Sequence, residues 1–171
     1  MRRLSTIVLA GALLGGAGLA APAGAALGPD AALSPGGLGP VRVGMTEREI
    51  ERAAGIEVER DDYAGTGGAC TIASLGGRDY LLFRRAKLAR ITIDSRRYAT
   101  RGGIRVGDRQ RKVRRQHGGK VRRSPHAYTR GAYLDVGRRS PRLRYEVSGR
   151  GRVTVIHAGI APEIGYVEAC A

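Results

Sequence analysis

Val41-Arg42-Val43-Gly44 occurs twice in this chain. It returns as Ile104-Arg105-Val106-Gly107, and at the same offset Ile50 meets Val113 and Gly55 meets Gly118. Each copy reads as a short apolar strand, a glycine turn, a helix of about two to three turns and a glycine stop. One residue short of that offset, Phe83 meets Tyr145, Ile91 meets Val153 and Ile93 meets Val155. The likeness therefore runs past the helices into the strands that follow them.

In the first copy Thr46-Glu47-Arg48-Glu49 has the form of a capping box, in which hydroxyl and carboxylate each accept the other residue's amide. Ile50, Ala53 and Ala54 then share one helical face, and Gly55 supplies the stop. In the second copy the helix, about residues 108–117, has Arg109 where Thr46 stood, which leaves Asp108 as the candidate cap. Strands are expected at 69–75, 79–83 and 88–94, then at 132–136, 142–147 and 152–157. Leu143, Tyr145 and Val147 alternate with Arg142, Arg144 and Glu146, the pattern of a sheet with one buried and one wet face. The expected fold is α+β: two tandem helix-plus-three-strand antiparallel repeats, with the helices on one face of a shared sheet. The expected division is a signal peptide at 1–25, a flexible lead-in at 26–39, repeat one at 40–98, and repeat two with a C-terminal strand at 99–171.

Met1-Arg2-Arg3, the uncharged run to Ala20 and the Ala-x-Ala patterns after it have the layout of a secretory signal. The run is too short and glycine-rich for a span of about 20 apolar residues. Export changes the reading of the two cysteines, Cys70 and Cys170. Neither has a His or Cys at ligand spacing, and outside the cytoplasm a pair points to a structural disulfide. Trp is absent and Phe occurs once, so the core must come from Val, Ile, Leu, Ala and Tyr.

The tandem Val/Ile-x-Val-Gly openings, each followed by a helix and a hairpin, resemble the fold group of the β-lactamase inhibitory protein. The small outer-membrane assembly lipoproteins share that group. The block Gly44-Met45-Thr46…Glu49-Ile50 carries the better match. The resemblance implies helices on one face of a continuous antiparallel sheet, with the other face free to bind protein. The lipoproteins' acylated cysteine after the signal has no counterpart here, which counts against a membrane-assembly role.

No nucleophile elbow, phosphate loop or His-Glu-x-x-His is present. The three histidines, His117, His126 and His157, stand apart from one another in sequence. No enzyme activity, cofactor or metal is expected, although a hydrolase without a legible signature stays open. No nucleic-acid fold motif appears, and stacking aromatics are few. The informative signal is charge. The formal net charge is +15 with only three lysines, so arginine supplies most of it. Codon bias in a GC-rich genome explains this as readily as attraction to an anionic partner does. The second helix presents Arg111, Lys112 and Arg115 opposite Val113, flanked by Arg109 and Arg114, and residues 120–130 after it read as a basic loop that holds Arg122 and Arg123, whereas the first helix mixes acids and bases.

Two binding expectations follow for an exported, extracytoplasmic chain. One is recognition of a protein through the wet sheet face, with Arg90, Thr92, Asp94, Arg142, Arg144 and Glu146 as candidates. The other is retention on an anionic envelope polymer through Arg111, Lys112 and Arg115.

Overall fold

The computed structural model describes residues 27–61 and 69–170; the expected signal peptide lies outside them. The elements run β1 (Ala32–Ser34), β2 (Gly37–Leu38), β3 (Val41–Arg42), α1 (Glu47–Ala54), β4 (Arg60–Asp61), β5 (Cys70–Ser74), β6 (Tyr80–Arg84) and β7 (Lys87–Ile93). They continue with β8 (Ala99–Thr100), α2 (Gln110–His117), β9 (Val121–Pro125), β10 (Ala132–Val136), β11 (Arg142–Val147) and β12 (Val153–Gly159). A 3-10 turn at Glu163–Gly165 opens the C-terminal tail.

The α+β expectation of two helix-plus-three-strand repeats is corrected. The chain is mostly β, with a four-stranded sheet in the order β3-β2-β1-β8 and an eight-stranded sheet in the order β4-β5-β6-β7-β12-β11-β10-β9. The helices are short, eight residues each. Two readings failed for one reason. Residues 26–39, expected to be a flexible lead-in, carry β1 and β2 and bury Leu33 and Leu38. The basic segment after α2, expected to be a loop, is β9. Neither segment has the period-two alternation that marks a half-buried strand. The tail is not an edge strand either; after its 3-10 turn it crosses the large sheet without joining it.

Helix α1 begins as its sequence requires. The Thr46 amide donates to Glu49 Oε2 at 2.7 Å, and the Glu49 amide donates to Thr46 Oγ1 at 3.3 Å. Gly55 closes it in the left-handed region at φ 60°, which glycine adopts without strain. Helix α2 has no side-chain cap. Asp108 instead accepts from the Arg105 amide at 2.9 Å and from Lys112 Nζ at 2.7 Å.

The large sheet is antiparallel throughout, and β7 meets β12 at its centre, with Ile93 opposite Ile156 and Ile91 opposite Ala158. At this seam a Cβ on Gly159 would lie 2.2 Å from the Ala89 carbonyl oxygen, so only glycine lets the backbones approach. Leu81, Phe83, Ile91, Tyr145 and Ile156 line one face of the sheet. They are buried in one cluster with Ile50 of α1, Val113 of α2 and Leu33, Leu38 and Val41 of the small sheet. The opposite face carries the chemistry described next.

Candidate functional site

Away from the core, the sheet presents Leu82 and Ala89 beside Cys70. This small apolar cluster is completed by Ile160, Ala169 and Cys170 of the tail. Cys70 and Cys170 form a disulfide with their Cα atoms 5.6 Å apart. The tail is thus fastened at its end, and its middle is held by arginine.

Arg90 is fully buried. Its Nη1 donates to the carbonyls of Glu163 at 3.0 Å and Tyr166 at 2.7 Å, and its Nη2 donates to the Tyr80 hydroxyl at 2.8 Å. Burial lowers its pKa from the ordinary arginine value, opposed by the Tyr80 contact and by Glu146. Its strand neighbour Thr92 is also buried, at 2% exposure. The face expected to be open is therefore closed at Arg90 and Thr92. Of the other candidates, Arg144 grips Asp135 with Nε at 2.8 Å and Nη2 at 3.0 Å. Arg142 approaches the same carboxylate at 3.8 Å. Asp94 accepts from Arg78 at 3.0 Å, and Glu146 sits between two histidines.

That pairing fixes proton positions. His126 Nδ1 accepts the Tyr128 amide at 3.1 Å, so the proton of the neutral ring is on Nε2, which faces Glu146 Oε2 at 3.2 Å. His157 Nε2 faces Glu146 Oε1 at 3.0 Å, and its Nδ1 meets the Thr92 hydroxyl at 3.0 Å. Burial holds the His157 imidazole below the ordinary histidine range, and Arg90 and Arg144 push the same way against Glu146. Burial alone would raise Glu146, but the bonds from His157 and His126 prevail and lower it.

The cluster suggests two chemistries and fits neither. Among the described residues no group of three or more His, Cys, Asp or Glu is placed to hold a metal. A metal on His126 Nε2 would displace its proton to Nδ1, against the Tyr128 amide. Thr92, His157 and Glu146 run hydroxyl–imidazole–carboxylate, as in a nucleophilic relay, yet the Thr92 hydroxyl is sealed from any substrate.

The cationic candidates lie elsewhere. Arg111 and Arg115 of α2 are exposed, as are Arg114 of the same helix and Lys120, Arg122 and Arg123 along β9. None of these has an acidic partner among the described residues. Lys112 differs: half-buried, it is tied to Asp108 and to the Gly103 carbonyl, both at 2.7 Å. A further element joins this surface, since Arg109 bridges Arg152 on the turn before β12. By contrast, two acids of α1 are paired, Glu47 with Arg60 at 2.7 Å and Glu49 with Lys87 at 3.6 Å. β9 is a sheet edge, and its arginines fall on both faces: Arg122 stands opposite Asp135, and Arg123 opposite Leu134. Sequence reading named Arg114 only as a flank and placed Arg122 and Arg123 in a loop. The His126–Glu146–His157 cluster had no sequence signal, because strand pairing alone brings its members together.

No family model and no curated protein matches the chain. Among solved structures it is similar to the uncharacterized protein yfeY from Escherichia coli. The TM-score is 0.52 at 12% identity, over 75% of this chain and 99% of that one. At that identity the likeness shows the fold alone.

Proposed function

We propose that this chain is an exported, non-enzymatic binding module held on an anionic envelope polymer by the arginine surface of α2 and β9. The observation that carries the reading is the contrast between the helices. Helix α1 carries Glu47, Glu49 and Glu51 beside Arg48 and Arg52, whereas α2 carries no acid, and its Arg111, Arg114 and Arg115 face solvent without an acidic partner among the described residues. Arginine suits the role because its planar fork binds phosphate or carboxylate oxygens two at a time. The disulfide is compatible with export. Among the described residues no helix is long and apolar enough to cross a membrane.

Recognition of a protein through the sheet face would require the tail to move, since Arg90 and Arg144 donate to its carbonyls. The test is sedimentation with isolated envelopes over a salt series. Release by moderate salt supports the reading, because the Debye length falls from about 10 Å at 0.1 M to about 3 Å at 1 M. Retention that ignores salt contradicts it.

A further inference from the structure

We propose that the polar sheet face carries a separate anion site, built by Arg142 of β11 and Arg122 of β9 beside Gly137, for a phosphate dianion or a phosphomonoester group. The observation that carries it is a contrast between two arginines on one strand. The side chains of Arg142 and Arg144 are almost equally buried, at 17% and 15% exposure. Arg144 uses its donors on every nitrogen: Nε and Nη2 bond Asp135, and Nη1 reaches the Gly165 carbonyl. The Arg142 side chain makes no hydrogen bond with any described residue. Its Nε is buried without a partner and lies 3.8 Å from Asp135 Oδ1, beyond hydrogen-bond reach. A guanidinium so far removed from water is costly unless acceptors meet its N–H groups.

Strand register shows where an acceptor would sit. On this face Arg122 stands opposite Asp135, and Asp135 opposite Arg144. Continuing the β10–β11 register past Val136 and Leu143 puts Gly137 across from Arg142. The Gly137 amide donates to the Lys120 carbonyl at 3.1 Å, which keeps the start of β9 alongside. Gly137 has no side chain, and a Cβ there would meet nothing within 4 Å. The space between Arg142 and β9 is therefore open, with Arg122 at its border. Arg122 is exposed and has no acidic partner among the described residues. It points away from the α2 side, because its neighbour Val121 packs against the core cluster and Arg123 stands opposite the buried Leu134.

Charge selects the occupant. Arg144 and Asp135 neutralise each other, which leaves Arg142 and Arg122 as uncompensated positive charges. A phosphomonoester carries about −1.5 to −2 charge at pH 7 and matches that pair, whereas a carboxylate does not. Its oxygens also suit planar guanidinium forks, which bind them two at a time. Inorganic phosphate and a phosphomonoester share this chemistry. The site goes beyond polymer retention by α2 and does not depend on the α2 arginines.

The test titrates inorganic phosphate into the full exported chain at low salt and about pH 7.5, above the second phosphate pKa of about 6. The Gly137 amide signal and the binding heat are followed. Saturable binding that shifts Gly137 is expected. Arg142→Gln leaves Asp135 to Arg144 and should weaken phosphate at least about tenfold, the loss of one charged hydrogen bond. Arg122→Gln should do the same, and because Arg122 is exposed its variant keeps the fold. Changing Arg111, Arg114 and Arg115 to Gln should leave phosphate binding unaltered, so this site and envelope retention by α2 stand or fall separately. Phenyl phosphate separates the sources: binding equal to phosphate assigns a phosphomonoester group, and exclusion assigns the free ion. Shifts that never saturate, or that acetate reproduces at equal concentration, would overturn the proposal. So would unchanged phosphate binding in Arg122→Gln.

Discussion

Arg90 offers the sharpest test of how the tail is held. Replacing it with alanine removes three charged hydrogen bonds, to Glu163 O, Tyr166 O and the Tyr80 hydroxyl. At about 1.5–3 kcal/mol each the gross loss is roughly 5–9 kcal/mol. Relief of a buried guanidinium offsets several kcal/mol of that, and Nε has no partner to lose. The net expected loss is about 3–5 kcal/mol, the usual result of truncating one side of a buried charged contact. For a chain of this size that corresponds to a fall in Tm of roughly 10 °C. Urea unfolding gives the free energy directly, and amide exchange at Ile164 and Tyr166 should quicken more than exchange in β10. Arg90→Lys should fall between, since one ammonium cannot serve three acceptors set around a fork. A loss under about 1 kcal/mol for Arg90→Ala would refute the view that this residue fastens the tail.

Reducing the Cys70–Cys170 disulfide, which spans 100 residues, should destabilise the fold by up to about 4.7 kcal/mol in the chain-entropy account; alkylation of the unreduced protein should find no free thiol. Thr46→Ala removes the α1 cap and should lower urea stability by about 1 kcal/mol. Acid should destabilise in two stages. His157 is depressed below 6.5 in the fold, so the unfolded chain takes the proton first and stability falls as pH drops below about 6.5. Glu146 is depressed below 4.5, so its contribution is present above that value and is lost as pH falls through the folded value. Urea midpoints at pH 8, 6 and 4 should decline in order.

Part of this architecture is legible in the sequence. Strand β11 falls where Leu143, Tyr145 and Val147 alternate with charged neighbours, β10 occupies the expected 132–136, and the Thr46–Glu49 box marks the start of α1. What escapes is structure set by pairing rather than by pattern. β1 and β2 are three and two residues long and sit among Gly and Pro, so they have no period to detect. Val121-Arg122-Arg123-Ser124-Pro125 is a strand because β10 lies beside it, although its composition is that of a loop. The wet face was identified by alternation, but alternation cannot say that a tail tied by a disulfide 100 residues away in sequence crosses it. Alternation alone places Arg90 in solvent, and the tail that crosses the face buries it. Lys112 was grouped with its basic neighbours, whereas Asp108 four residues earlier claims it.

In the proposed function the place of the arginines, rather than their number, retains the protein on an anionic polymer. Two triple variants carry the same change in net charge: Arg111, Arg114 and Arg115 to Gln on α2, and Arg48, Arg52 and Arg85 to Gln at and near α1. All six side chains are exposed, so each substitution should shift stability by no more than about 0.5 kcal/mol. The measurement is the dependence of affinity for a phosphodiester-rich wall polymer on salt concentration. If each lost contact acts as it does on a nucleic-acid backbone, the α2 variant should lose about 2–3 from the log–log salt slope, while the α1 variant keeps the wild-type slope. Equal slopes for the two variants would contradict the claim and leave the arginine excess as composition.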